Sequence, residues 1–524
     1  MEPLVPAFGG RPESTIGPSP RTSECPAPAG GTLGPMLLRQ FVIDGLGHIS
    51  TLIADESAGL AAVVDPRRDV DIYLEAARSA DLQITHVVET HLHNDYVSGG
   101  RELAALTGAS HVIGAGADLA YDHRPIRDRE TFDIGALRFT ALETPGHTPE
   151  HVAYAVADTS RAQEPLLLFT GGSLLVGAVG RTDLLGDENA LPFARAMFRS
   201  IREVILPHED FVGVYPTHGA GSLCSTGIAS TPWSTVGFER RHNPMVQPAD
   251  VDGFARLLLR DQPAFPRYFA KMRPTNQAGP RLLGGHPPVP RPMAVKDVRS
   301  ALKQDAVLVD LRSPAAHSMA HVPGSVSIPS GSSFGTWLGW VVEPDRPLVL
   351  MLDSPADWDD AARQAMRVGY ETLLGHVRGG FASWTESGAP VESGGQLTVD
   401  QLASRLDRGG PEAPLVVDVR QVTEYASGHV PAALHVGAGS LQDRLGDLPR
   451  DRPIATICAS GYRSSVAASL LRAAGFSDVS WVADGLPAWR AHGHPVERGE
   501  GDAMESAPPI PQAQAAPAGH HHRG

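Results

Sequence analysis

Thr90 to Gly100 reads THLHNDYVSGG, and it sets His91, His93 and Asp95 on alternate positions directly after the apolar run ITHVVET. Three more polar clusters each follow an apolar run in the same way: His147 in TPGHTPEH, Gly171 and Gly172 after PLLLF, and His218 in VYPTHGAGS. In α/β architectures ligands gather at strand ends, where several loops converge on one crevice. Four such clusters in one region therefore predict an α/β domain whose strand ends converge on a metal site.

The chain around this region is long, 524 residues, enough for about three domains that each bury a core. Hydrophobic residues make up 42% of it, with no apolar run of spanning length, which fits a soluble protein and no membrane partner. A net charge of -15 argues against nucleic acid, whose binding rests on phosphate neutralisation by Lys and Arg, and in favour of a small-molecule substrate. Three cysteines, Cys25, Cys224 and Cys458, are too few for a disulfide scaffold and point to a reducing, cytoplasmic setting. The composition is compatible with a homo-oligomer.

Residues 1–35 are rich in Pro, Gly and Ser, lack the features of a secretory signal and are expected to be disordered. The α/β pattern runs over 36–254, and FARLLLRDQPAFPRYFAKM (Phe254–Met272) predicts a helix and an extended arm. The connection over 255–292 ends in GGHPPVPRP (Gly284–Pro292), whose prolines favour extended chain. An internal repeat follows. VLVDLRSPAAHSMAHVPGSVSIP (Val307–Pro329) and LVVDVRQVTEYASGHVPAALHVG (Leu415–Gly437) share a strand ending in Asp-x-Arg and a His-Val-Pro turn at a fixed distance, so 293–390 and 397–497 are read as two copies of one domain. The tail, 498–524, ends GHHHRG and is expected to be disordered.

In the second copy PIATICASGYRSSVAASLLRAAG passes from a β-type stretch into a helix, with Cys458 at the strand end and Arg463 near the helix start. Backbone N–H groups at a helix N-terminus and a nearby guanidinium favour a thiolate, and the small residues Ala459, Ser460 and Gly461 let amides turn towards the sulfur. The segment CASGYRS resembles the active loop of the rhodanese family. That resemblance implies that Cys458 carries sulfane sulfur as a persulfide, with Arg463 and the backbone of Ala459, Ser460, Gly461 and Tyr462 as the binding loop. Phosphatases of related shape carry one more residue between Cys and Arg. The first copy has no cysteine, and its corresponding loop offers Asp353, so it is read as inert.

The N-terminal region resembles the metallo-β-lactamase superfamily: THLHNDY matches its T-H-x-H-x-D-H motif except at Tyr96, and TPGHT and YPTHGAGS match its later histidine segments. The implied fold is an αββα sandwich. VDPRRDVDIYL, TPGHTPEHVAY, GRTDLLG and STPWSTVGFERRHNP, together with the domain order, are similar to persulfide dioxygenases fused to an inactive and then an active rhodanese. Such enzymes oxidise a low-molecular-weight thiol persulfide to sulfite at one Fe(II) held by two His and one Asp. The carried-over ligands are His91 and His147, with His93 completing the face because Gly172 stands where the Asp is expected; Asp95 and His218 lie behind them. Thiosulfate or a thiol persulfide is the implied substrate. Two other readings stay open: a sulfurtransferase whose N-terminal domain is catalytically impaired, and a thioester hydrolase.

Overall fold

The computed structural model describes residues 36–260, 262 and 264–499. The segments expected to be disordered, apart from 498 and 499, lie outside these residues, as do Cys25 and the terminal histidines.

The N-terminal domain is built on two six-stranded sheets. In the first, Met36–Ile43, His48–Asp55 and Leu60–Val64 form an antiparallel meander, and Gln83–Val88, Ser110–Gly114 and Arg124–Ile126 continue it in parallel. The second runs in the order Ser234–Thr235, Gly213–Pro216, Leu167–Gly171, Val152–Asp158, Leu137–Glu143, Thr131–Ile134. Ile53, Val64 and Val112 of one sheet pack against Phe139, Tyr154 and Phe169 of the other. The outer face of the first sheet buries Leu52, Val63 and Val87 under Tyr73 and Leu103 of helices Asp71–Ser79 and Gly100–Thr107. The second sheet buries Leu168 and Val214 under Ala194, Met197 and Phe254 of helices Asp187–Arg199 and Val251–Leu259. The layers are αββα.

Each half of the repeat is a five-stranded parallel sheet with the same order. The first runs Pro292–Met293, Leu373–Val377, Leu348–Met351, Val307–Asp310, Val326–Ser327; the second runs Gly395–Leu397, Val479–Val482, Ile454–Ile457, Leu415–Asp418, Leu434–His435. The shared Asp-x-Arg is a local clamp: Arg312 donates to Asp310 and to the Ala320 carbonyl (2.9 Å), and Arg420 donates to Asp418 and to the Gly428 carbonyl (2.8 Å). All four side chains are buried, which explains why both copies keep the pair.

The segment expected as an extended arm contains a second helix, Phe269–Ala278. Side chains of this segment fasten the loop that follows strand Gln83–Val88. Tyr268 Oη donates to the Asp95 carbonyl (2.8 Å), and Asn276 Nδ2 donates to the carbonyls of His93 (2.9 Å) and Tyr96 (3.0 Å). The first repeat joins in through Val97 N–H, which donates to the Arg367 carbonyl at 2.8 Å. One apolar cluster extends from Tyr96 and Cys224 through Tyr268 and Met272 to Leu338 and Trp340, and on to Cys458 and Trp481. Among the described residues no helix is long and apolar enough to cross a membrane.

Candidate functional site

Four histidines converge where the two sheets of the N-terminal domain meet at their strand ends. His91 and His93 follow strand Gln83–Val88, His147 lies between Leu137–Glu143 and Val152–Asp158, and His218 follows Gly213–Pro216. The rings of His91, His147 and His218 form a triangle with centroid separations of 4.9, 5.5 and 5.5 Å. One ring nitrogen of each lies within 4.8 Å of the other two, and all three residues are buried.

The hydrogen bonds fix which nitrogens are free. Thr90 Oγ1 donates to Asp65 Oδ2 (2.8 Å), so its contact with His91 Nδ1 (2.8 Å) requires the ring to donate there. His147 Nδ1 faces the Arg181 carbonyl at 2.8 Å and must also donate. In both rings Nε2 is therefore the lone-pair nitrogen. Neither Nε2 has a hydrogen-bond partner, although both are buried. Burial, followed by neighbouring histidines, holds His91 well below the ordinary imidazole range, and burial pulls His147 down to about 3, so both rings are neutral near pH 7. Two neutral, tautomer-fixed imidazoles with unpartnered inward nitrogens fit a metal ion.

The geometry differs from the sequence expectation in the third residue. His218 joins His91 and His147, whereas His93 Nε2 lies 3.3 Å from Asp65 Oδ1 and 3.9 Å from Glu89 Oε2. His218 also belongs to a second group with His93 and Asp95, its Nδ1 lying 3.3 Å from Asp95 Oδ2. His218 is common to the two groups. Burial opposes charge on His218, but Cys224 and Asp95 outweigh it and raise the imidazolium well above its ordinary range.

Gly172 shapes the cluster through space as well as through a missing carboxylate. A Cβ at this position would lie 2.2 Å from His147 Cδ2 and 2.7 Å from Nε2. The His147 ring, tethered to the Arg181 carbonyl, occupies the room that an Asp side chain here would need. Gly172 N–H instead donates to His151 Nε2 at 3.0 Å.

Sequence reasoning missed several residues of this cluster. His151 stacks on His91 (5.0 Å), and His48 lies against Tyr96 (4.1 Å) with its Nε2 3.0 Å from the Asp65 carbonyl. Asp65 accepts from Thr90 N–H, Thr90 Oγ1 and Thr217 Oγ1 and so ties three strand ends together. Its one signal was its position after the apolar run in VVDPRR. Tyr96, in place of the motif's last histidine, is buried and stacks on His93 at 4.4 Å.

The second polar centre lies in the second repeat. Strand Ile454–Ile457 ends at Cys458, and helix Tyr462–Ala473 begins four residues later. Gly461 N–H points at Cys458 Sγ from 3.2 Å, and Ser464 Oγ lies 3.6 Å from the sulfur. Gly461 has φ +88, and a Cβ there would sit 2.4 Å from the Ala483 carbonyl, so glycine is required for the turn that aims this amide. Arg463 donates to Glu424 through two bonds of 2.6 and 2.8 Å. Ala459 is partly buried and Ser460 exposed; Tyr462 Oη donates to the Pro329 carbonyl (3.3 Å), and its ring faces Trp337 (6.0 Å), both in the first repeat. The first repeat's Asp353 is exposed at the end of strand Leu348–Met351.

Residues 43–226 match the metallo-beta-lactamase superfamily, and 294–387 and 398–492 each match the rhodanese-like domain. The chain is 33% identical over 129 residues to a hydroxyacylglutathione hydrolase of Prochlorococcus marinus (strain MIT 9211), an alignment covering 24% of this chain and about half, 51%, of that protein. It is 30% identical over 225 residues to the mitochondrial persulfide dioxygenase ETHE1 of Homo sapiens, covering 41% of this chain and 78% of that one. The crystal structure of a metallo-beta-lactamase from Staphylococcus aureus subsp. aureus COL superposes with a TM-score of 0.59 at 31% identity, covering 65% of this chain and 98% of that one.

Proposed function

Because this chain belongs to the metallo-β-lactamase superfamily and carries two rhodanese-like domains, we propose that it is a cytoplasmic persulfide dioxygenase and sulfurtransferase of sulfane-sulfur metabolism. The observation that carries the reading is the Gly461 N–H aimed at Cys458 Sγ from 3.2 Å at a helix start. Cys458 attacks the outer sulfur of thiosulfate or a thiol persulfide; the S–S bond breaks, its electron pair leaves with sulfite or the thiolate, and the sulfur stays on Cys458 as a persulfide. The loop amides of 459–463 stabilise the terminal negative charge, and an acceptor nucleophile then removes the sulfur. Residues 293–390 act as a wall for this loop through Pro329 and Trp337, with no sulfur chemistry of their own.

In the N-terminal domain His91 and His147 would hold one ferrous ion, with His218 joining as a third ligand on giving up its imidazolium proton and His93 and Asp95 beside them. When bound, that ion would supply the redox chemistry for oxidation of a thiol persulfide to sulfite by O₂. The chain's own part is to keep His91 and His147 neutral and oriented, through Thr90 with Asp65 and through the Arg181 carbonyl. Tyr268 and Asn276 also hold the loop that carries His93 and Asp95, through its carbonyls.

Gly172 supports a second reading, in which sulfur transfer is retained and the N-terminal domain is catalytically impaired, since no carboxylate completes the ligand set. Thioester hydrolysis is less well supported: Tyr96 and Gly172 remove two residues a second ion would need. Oxygen uptake with glutathione persulfide, measured beside thiosulfate sulfur transfer on anaerobically prepared, iron-loaded protein, separates the readings. Persulfide-dependent uptake supports the first; transfer without uptake supports the second; cleavage of a glutathione thioester would overturn both.

A further inference from the structure

Away from the N-terminal cluster, the second repeat brings three metal-type side chains together on its surface. His492 Nδ1 lies 3.0 Å from Asp400 Oδ1 and 3.1 Å from Oδ2, and His494 Nε2 lies 2.9 Å from the same Oδ1. One donor atom from each residue falls within 4.8 Å of the others. They come from two places in the fold, the start of one helix and the turn that ends another. Asp400 is in the first turn of helix Val399–Arg408, which starts in a capping box of Thr398 and Gln401. His492 caps the end of helix Gly485–Ala491. His494 lies in the turn beyond, with its ring against Trp489 (4.6 Å), and Trp489 Nε1 donates to the Pro495 carbonyl at 2.7 Å.

The first repeat shows that the scaffold does not demand these donors. It repeats the same turn, with Trp384 Nε1 donating to the Pro390 carbonyl at 2.9 Å, and its strand register aligns Met293 with Leu397. At the positions equivalent to Asp400, His492 and His494 it carries Lys296, Ser387 and Ala389. Two imidazoles and a carboxylate therefore occur together only in the copy that holds Cys458.

We propose that Asp400, His492 and His494 bind a single divalent transition-metal cation. Two imidazole nitrogens with one carboxylate suit zinc, cobalt, nickel or copper and disfavour calcium and magnesium, which take oxygen ligands. Side-chain exposures of 61, 49 and 22% leave the donors open to solvent, so the ion keeps water in its remaining positions. Asp400 also lines an open groove of about 420 Å³ along the same helix, with Gln401, Ser404, Arg405 and Arg408. The bound ion ties the start of one helix to the end of another. The second of these helices reaches the sulfur-transfer loop, where Leu486 N–H donates to the Cys458 carbonyl (2.8 Å), and the first is joined to it through Val399 N–H, which donates to Asp484 Oδ2 (3.3 Å).

The test uses the full chain with His520, His521 and His522 replaced by Gln, so that the tail does not compete for metal. Zinc is titrated calorimetrically into this parent, into H492Q/H494Q and into D400N, with near-UV circular dichroism confirming that each is folded. The expected result is one equivalent of zinc fewer in the double variant and at least tenfold weaker binding at that site in D400N, with calcium giving no difference among the three. Equal zinc stoichiometry and affinity in all three proteins would reduce the cluster to a surface ion pair and overturn the proposal. Calcium binding as tight as zinc at these residues would overturn the assigned metal class.

Discussion

Arg367 of the cysteine-free repeat grips Asp69 of the N-terminal domain through N–H···O bonds of 2.8 and 2.6 Å, and both side chains are buried. Removing one member of such a pair strands the other charge, at a cost of about 3–5 kcal/mol. R367M should therefore lower the free energy of chemical unfolding by that order, moving the midpoint down, and expose the junction between the two units to proteolysis. An unchanged midpoint would show that Arg67 and Arg363, which also approach Asp69, are sufficient without it.

The same pair sets a pH dependence. Burial would raise the Asp69 carboxyl, but Arg367, Arg67 and Arg363 outweigh it and hold it at about 2, against an ordinary 3.8. A depressed carboxyl stabilises the fold above its unfolded value, and that contribution is lost as pH falls through the folded one. Unfolding free energy should accordingly drop between about pH 4 and pH 2. This slope should be shallower in D69N, and identical slopes would remove Asp69 from the explanation.

Cys458→Ser should abolish sulfur transfer from thiosulfate, because a hydroxyl neither ionises at neutral pH nor holds sulfane sulfur. Cys25→Ser and Cys224→Ser should leave transfer within about twofold, since neither thiol belongs to the loop. Residual transfer in Cys458→Ser protein would sink the assignment.

Arg463 is already paired with Glu424, so its effect on the sulfur is shared. Glu424→Gln should release positive charge towards the loop and lower KM for the thiosulfate dianion, whereas Arg463→Ala should slow transfer about tenfold, the loss of one charge-assisted interaction. If both variants match wild type in steady-state assays, the pair is only an anchor for helix Tyr462–Ala473.

His91→Gln and His147→Gln should each reduce iron retention after anaerobic loading to well under one equivalent. Gly172→Asp should do the same, because the new Cβ meets the His147 ring at 2.2 Å. Metal analysis decides this directly. A gain in iron with Gly172→Asp would mean that the ring moves aside and the carboxylate takes part.

The α/β class of the first domain and the duplicated sheets were legible because each rests on local patterns, apolar runs ending in polar loops and a repeated Asp-x-Arg with a His-Val-Pro turn, whereas the αββα layering was implied only by the resemblance of THLHNDY, TPGHT and YPTHGAGS to the metallo-β-lactamase superfamily. Cys458 was legible for the same reason, as strand, loop and helix are contiguous. The membership of the histidine cluster was only partly legible. His91 and His147 announce themselves by motif, but whether His93 or His218 joins them depends on how Asp65 draws His93 aside, and Asp65 is far from both in sequence. Asp69, Arg367, Tyr268 and Asn276 carried no signal, since their partners lie on other domains. Nothing in a single segment records a contact made across an interface.

The apolar cluster that joins Tyr96, Tyr268, Trp340 and Cys458 has a consequence for how the chain comes apart. Three beads on a string would melt in three steps and survive being cut at their linkers. A shared interior makes separate excision expensive: a fragment of 293–390 would present Leu338, Trp340 and their neighbours to water. Differential scanning calorimetry of the whole chain should then record one cooperative transition. A substitution in the sulfur-transfer unit large enough to unfold it should take the distant histidine cluster down with it.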